Sequence, residues 1–336
     1  MLSRMLKLVL VLAIALAPSA PARAADASAF TTALMRYLGL DPAKRLSDLE
    51  KGVVVHNGVS DQEKLPDEVA AAGAMLLVRG KSADDVIAAF LHAETFLEVH
   101  QVKRYKALQA DGGDGSAFAD LPLPDPGNVA ELVKAPRRVL NLSVSEGESL
   151  SRLDGASPGL AGRVRTVLAE ILAARLRAYA AQGLEGVVPY VRENGQVVDP
   201  RIELRAALSG LAFTGETFPG FLDELTTAKK PRTYYWMERS VDKAQVLVLS
   251  AELRRREGAA ALGADLHFYA SREYNSMLTL VGVVPYADAA FVFAVNHTFT
   301  DQVTGMGSSM RRSYARNMVA SGLAKQLEAT RTRLGR

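Results

Sequence analysis

The chain contains no cysteine. That absence excludes a disulfide framework, a thiolate nucleophile and a lipoprotein attachment point, so the fold must rest on its apolar core. No His-Glu-x-x-His zinc helix occurs in the sequence, which removes one common hydrolytic constellation. His92, Glu94, Glu98 and His100 lie close together, but their spacing does not put them on one helix face. They read as the surface and end of a helix rather than as metal ligands. An apolar run long enough to span a bilayer is missing too. Leu8 to Ala17 is too short, and with Arg4 and Lys7 before it and Ala22-Arg23-Ala24 after it, residues 1–24 read as a secretory leader. The expected location of the remainder is periplasmic or secreted, with no stable membrane span once the leader is cleaved.

An excess of one charge is also lacking. Arg4, Lys7 and Arg23 belong to the leader; without them the 40 basic residues become 37, equal to the 37 acidic ones. The basic pI of about 9.0 is therefore largely a property of the leader. No lysine-arginine cluster interleaved with aromatics remains to follow a phosphate backbone, so nucleic acid is not an expected partner.

What is present is an ordered succession of patterns. Ser28 to Leu38 has the spacing of a short amphipathic helix ended by Gly39 and Pro42. Gly52 to His56 and Glu68 to Val78 read as strands, and Ala83 to Phe96 as a helix with Ser82 as its cap and Asp85 three residues on. Gly80-Lys81-Ser82 imitates the end of a phosphate loop, but position 75, where the upstream glycine belongs, is Met75. Asp111-Gly112-Gly113-Asp114-Gly115 lacks the closing glutamate of a calcium hand and reads as a solvated loop. Pro122, Pro124 and Pro126 impose an extended segment.

Arg137 to Val144 reads as a strand. Ala161 to Gln182 is the clearest middle helix, with Val164, Leu168, Ile171, Leu172 and Leu176 on one stripe and Gly183 as its stop. Residues 128–230 as a whole read as a largely helical insertion. From Arg232 on, the pattern changes to antiparallel strands closed by one long helix, about Gln302 to Thr332. Along 262–273, Leu262, Ala264, Leu266, Phe268 and Ala270 alternate with Asp265, His267, Tyr269, Ser271 and Glu273. One face is thus expected to be buried and the other polar. Residues 289–295 are apolar at both parities, which requires cover on both faces. Met306, Met310, Tyr314 and Met318 recur every fourth residue of the last helix, and Val319, Leu323 and Leu327 continue the apolar positions. That stripe is expected to lie on the sheet, with Gly305 and Gly307 allowing close approach.

The fold class expected is therefore α+β: one domain over 25–336, in which a curved antiparallel sheet packs on a long C-terminal helix, with a helical insertion. The order strand, helix, insertion, strands and long helix resembles the START-like helix-grip fold over about 66–98 and 232–332. The segments carrying the likeness include His267-Phe268-Tyr269-Ala270-Ser271-Arg272-Glu273-Tyr274 and Asn296-His297-Thr298-Phe299-Thr300-Asp301. The chain also resembles secreted bacterial proteins with the same ending. That resemblance implies an apolar cavity between sheet and helix that holds a lipid or other hydrophobic small molecule, without a cofactor or metal.

The residues expected to line such a cavity are Trp236, His267, Tyr269, Glu273, Phe291, Met310 and Tyr314. If 289–298 pairs near 262–274, His267 and His297 would come close. Two rival readings stand beside this one. The protein is a structural or interaction protein with a filled core, or it is an enzyme using His267, Tyr269 and Glu273 as acid-base groups.

Overall fold

A computed structural model describes residues 27–60, 65–90, 102–111, 116–123, 127–228, 232–241, 244–305 and 307–335. The leader-like residues 1–24, the His92–His100 group, the 91–96 end of the expected helix, Gly112 to Gly115, Pro124, Pro126 and Met306 lie outside them. Helices α1 (Ala27–Tyr37) and α2 (Pro42–Glu50) lead into strands β1 (Val55–Gly58) and β2 (Val69–Arg79). Helix α3 (Ala83–Phe90) and strand β3 (Val102–Leu108) follow. The next stretch is helical: α4 (Val129–Lys134), α5 (Pro136–Val139), α6 (Val144–Ser151) and the long α7 (Leu160–Gln182). A two-stranded ribbon of β4 (Tyr190–Val191) and β5 (Val197–Val198) precedes α8 (Pro200–Gly210) and α9 (Phe221–Thr226). Then come β6 (Thr233–Val241), β7 (Ala244–Glu257), β8 (Ala260–Ala270), β9 (Ser276–Tyr286) and β10 (Ala289–Phe299). The C-terminal α10 (Ser308–Leu334) closes the chain.

The expected strand over 137–144 is not formed. Pro136 opens a helical turn, where its missing N–H costs nothing. Ser143 and Glu146 form a reciprocal capping box that starts α6. Leu140 and Leu142 are buried all the same, in the link between the two helices; the apolar alternation there marks a buried connection. Elsewhere local chemistry sets the ends as expected. Ser82 Oγ accepts from the Asp85 amide at 3.1 Å and donates to its carboxylate at 2.7 Å. Gly183 stops α7 at φ 63°, where a Cβ would lie 2.4 Å from the Thr226 carbonyl oxygen.

Eight strands form one antiparallel sheet in the order β1-β2-β10-β9-β8-β7-β6-β3. β10 pairs with β2 across more than 200 residues of chain, so the sheet is assembled from both ends of the sequence. Its two faces are covered by different parts of the molecule. One face carries Leu262, Leu266, Phe268, Leu280, Phe291 and Phe293, packed against α1, α7 and their neighbours. Phe268 stacks on Tyr179 at 4.1 Å between ring centroids, and Phe30 meets Phe293 at 5.0 Å. Gly282 is what lets Phe293 lie across β9, since a Cβ there would be 2.3 Å from the ring.

The other face carries Leu76, Val78, Val281, Val283, Val292 and Ala294 under α3 and α10. Val86 and Phe90 of α3 and Leu323, Ala324 and Leu327 of α10 close it. Fully covering a Leu or Phe stabilises by roughly 1.5–3 kcal/mol, so doubly covered central strands are where this fold gains most. The architecture is thus the expected one: α+β, an antiparallel sheet packed on the long C-terminal helix, with helices between 128 and 228 on the sheet's opposite face.

Candidate functional site

The face under α10 divides into an apolar half and a polar half, and the pairing register shows where. Ala261, Val283, Val292 and Leu76 form one row across the strands; Gly263, Val281, Ala294 and Ala74 form the next. The row after that is Glu252, Asp265, Thr279, Asn296, Ala72 and Gly58, and beyond it lie Ser250, His267, Met277 and Thr298. Side chains in a row stand within reach of one another. The second half of α10 seals the apolar rows, and its first half runs beside the polar ones at the β1 edge.

A buried network fills the polar rows. The Asp265 carboxylate accepts from Tyr235 Oη at 3.0 Å and from Ser250 Oγ, and His267 Nε2 lies 3.1 Å from its other oxygen. His267 Nδ1 is 2.9 Å from the Tyr274 hydroxyl, onto which Arg239 also donates at 3.5 Å. Burial pushes the His267 pKa down, against the pull of Asp265, and pushes Tyr274 up to about 12. A neutral imidazole donating to Asp265 and accepting from Tyr274 lets both ring nitrogens be used at once. Asp265 and His267 are both fully buried. The pair has the form of a base and its orienting carboxylate, but the second nitrogen is already occupied by a phenol.

The other residues expected beside His267 are elsewhere. A β-bulge lies where Leu249 pairs with Tyr269 and Ser250 with His267, so Phe268 is the extra residue. A bulge breaks the alternation, and Tyr269 follows Phe268 onto the opposite face, under the Arg175 guanidinium at 4.5 Å. Glu273 is in the β8–β9 turn with a left-handed φ of 69°, and its carboxylate accepts from Gln302 Nε2 at 3.0 Å. The three side chains expected to act together as acid-base groups thus point into three separate environments.

Trp236 and Phe291 are core residues of the insertion-covered face; the Trp236 indole donates to the Ala117 carbonyl at 3.2 Å. His297 is on that face as well, 2.5 Å from the Tyr37 hydroxyl, with its pKa held down to about 3 by burial. β9 separates it from β8, and its partner Leu278 faces away from Met277, the partner of His267. The two histidines are on opposite sides of the sheet. Met310, Tyr314 and Met318 do not touch the sheet: they are 80%, 68% and 56% exposed. Sheet contact comes instead from Ala320, Leu323, Ala324, Leu327 and Thr330. Gly305 and Gly307 serve the turn before the helix, with φ of 78° and 75°. Close approach occurs at Gly58, where a Cβ would sit 3.1 Å from Arg316 Cβ.

Because the first half of α10 is not sealed onto the sheet, a groove of about 870 Å³ opens between it and the β1 edge. Leu38, Val59, Leu65 and Pro66 supply its apolar lining, and Asn57, Ser60, Ser309, Ser313 and Asn317 its hydroxyls and amides. Arg312 and Arg316 line it from the helix, and Arg312 also pairs with Asp67. Of these, Leu38 ends the amphipathic pattern of 28–38, and the others lie in no pattern from which sequence periodicity predicts a site.

A second hollow of about 490 Å³ lies at the end of the sheet, lined by Arg137, Arg138, Arg192, Arg272, Glu273 and Asp301 among others. Beneath it Arg192 pairs with Asp301 at 2.6 Å and donates to Asn141 and Asn275. Asn275 and Ser276 in turn donate to the buried Glu203 at 2.7 and 2.6 Å; burial raises that carboxyl to about 7. The carboxylate pairs of this hollow are internal, which fits a structural lock between insertion and sheet.

Among the described residues no group of three or more metal-ligating side chains is gathered, and no helix is long and apolar enough to cross a membrane. Comparisons of the chain with protein-family models, with curated proteins and with solved structures find no match.

Proposed function

We propose that the protein is an exported binding protein of helix-grip type whose ligand is an anionic amphiphile of the single-chain lipid class. The observation that carries this reading is the groove of about 870 Å³ between the β1 edge and the first half of α10. Its volume falls in the range of small-molecule sites, roughly 300–1,000 Å³. The leader-like residues 1–24 support export.

The lining narrows the chemistry. A wholly apolar molecule would take the hydroxyl and amide groups of Ser309, Ser313 and Asn317 out of water and offer them nothing to bond. Each buried group left so costs roughly 1–3 kcal/mol. An anionic head answers those donors, and planar guanidinium suits carboxylate or phosphate. The short apolar side formed by Leu65 and Pro66, with Leu38 and Val59 buried behind it, suits the first part of an acyl chain. The purely greasy ligand that the helix-grip resemblance implies fits this groove less well than a ligand with both parts.

The test uses a fluorescent fatty acid, dansyl-undecanoate, titrated into the protein. Saturable binding is expected, and Ser313→Trp, which fills the groove from an exposed helix position, should weaken it by about tenfold or more. The thermal midpoint should stay unchanged. Equal binding by the variant, or no saturable binding by the parent, refutes the groove as the ligand site.

A further inference from the structure

The described part of the molecule exposes few large apolar side chains, and three of them form a single stripe. Met310, Tyr314 and Met318 recur at every fourth residue of α10, all more than half exposed, while Val53, Tyr105, Val144, Val197 and Ile202 are scattered. A stripe of this kind on a helix that already has a sheet-facing side is not explained by the core. Its electrostatic setting is equally distinct. From Gln302 to Leu327 the sequence has no acidic residue but contains Arg311, Arg312, Arg316 and Lys325. Helical spacing puts Arg311 and Lys325 on the same side as Tyr314. Arg312 is paired with the Asp67 carboxylate at the groove, so it is not counted among the outward charges, whereas Arg311 donates to the Thr304 carbonyl, a neutral acceptor that leaves its positive charge in place.

We propose that the exposed stripe of α10 docks on an anionic membrane surface, with Met310, Tyr314 and Met318 entering the interface and Arg311 and, further along the helix, Lys325 meeting lipid headgroups. Methionine adapts to a disordered apolar boundary, and a tyrosine is at home where one end of the ring is dry and the other wet. Basic residues beside an apolar helix stripe are the general signature of a helix lying in a bilayer interface. The positive, acid-free stretch favours an anionic bilayer as the occupant over a second copy of the chain, which would bring two like-charged faces together. This surface lies on a different side of the helix from the groove, and the inference does not depend on what the groove holds.

The experiment is vesicle co-sedimentation of the protein purified from its producing cells, its N-terminus identified by intact mass and shared by every variant. Vesicles contain either phosphatidylcholine alone or about 30 mol % phosphatidylglycerol. The parent is expected to sediment with the anionic vesicles and to be released as salt rises from roughly 50 to 500 mM. Met310→Ser/Tyr314→Ser/Met318→Ser should lower the bound fraction by about fivefold, and Arg311→Glu/Lys325→Glu by a similar factor. Both sets are at exposed positions, and unchanged thermal midpoints establish that they fold. Ser313→Trp should bind vesicles as the parent does, which separates this result from the fate of the groove. Equal binding to the neutral vesicles, or sedimentation of the triple variant like the parent, overturns the proposal. So does a parent that is dimeric without vesicles and is split by the triple variant.

Discussion

Glu203 and His297 are buried in different parts of the molecule, and they move stability in opposite directions with pH. Glu203 has a folded pKa of about 7 against 4.5 for an ordinary glutamate, because burial disfavours its charge. Its contribution is therefore fully present below about pH 4.5 and is lost as pH rises through 7. His297, held near 3 instead of 6.5 by burial, behaves the other way: stability falls as pH drops from about 6.5 toward 3, since only the unfolded chain takes up the proton. Glu203→Gln removes the first effect while keeping the contacts, because the Ser276 hydroxyl can turn to accept. The thermal midpoint of the variant is expected to exceed the parent's by on the order of 2–4 °C at pH 8 and to match it near pH 4.5. An offset of the same size at both pH values would refute the assignment. Residue pairings of this kind are not legible in sequence. Asn275 and Ser276 meet Glu203 across 72 and 73 positions of chain, and the bulge that sends Tyr269 away from His267 leaves the alternation of 262–273 outwardly intact.

At the scale of the element, α10 is two helices in one. Its second half is a core helix: Leu323, Ala324 and Leu327 close the apolar rows of the sheet, and Arg331 anchors the end by donating to the Gly52 carbonyl at 2.6 Å. Its first half runs along the β1 edge, close to Gly58 at Arg316, borders the groove and exposes its methionines. The helix itself was legible, since its length and spacing are local properties. Which of two apolar stripes meets the sheet was not, because both have helical periodicity and the choice depends on where β1 and Gly58 place the helix axis. Leu327→Ala is expected to cost about 2–5 kcal/mol in denaturant unfolding, and Met318→Ala to stay within about 0.5 kcal/mol. Comparable losses at the two positions would contradict this division.

At the scale of the whole molecule, the stretch between 128 and 228 is the cover of one sheet face rather than an appendage. Phe268, Phe291 and Phe293 are buried beneath it and beneath α1. Deleting residues 128–228 and bridging the ends with a flexible linker is expected to give a chain without a cooperative unfolding transition, because a large apolar face would be opened to water. A deletion variant that unfolds cooperatively would show that the sheet and α10 suffice.

The sequence by itself determined the α+β class, the helical character of the middle, the doubly apolar central strands and the terminal helix, all of which follow from periodicity over short windows. Only the tertiary structure decided which face each polar side chain joins, where α10 stops sealing the sheet and what lines the groove beside it. Those outcomes depend on register, on one bulge, and on two glycines whose missing Cβ atoms let a helix and a phenyl ring approach. Such contacts join residues far apart in the chain, and no local pattern encodes them.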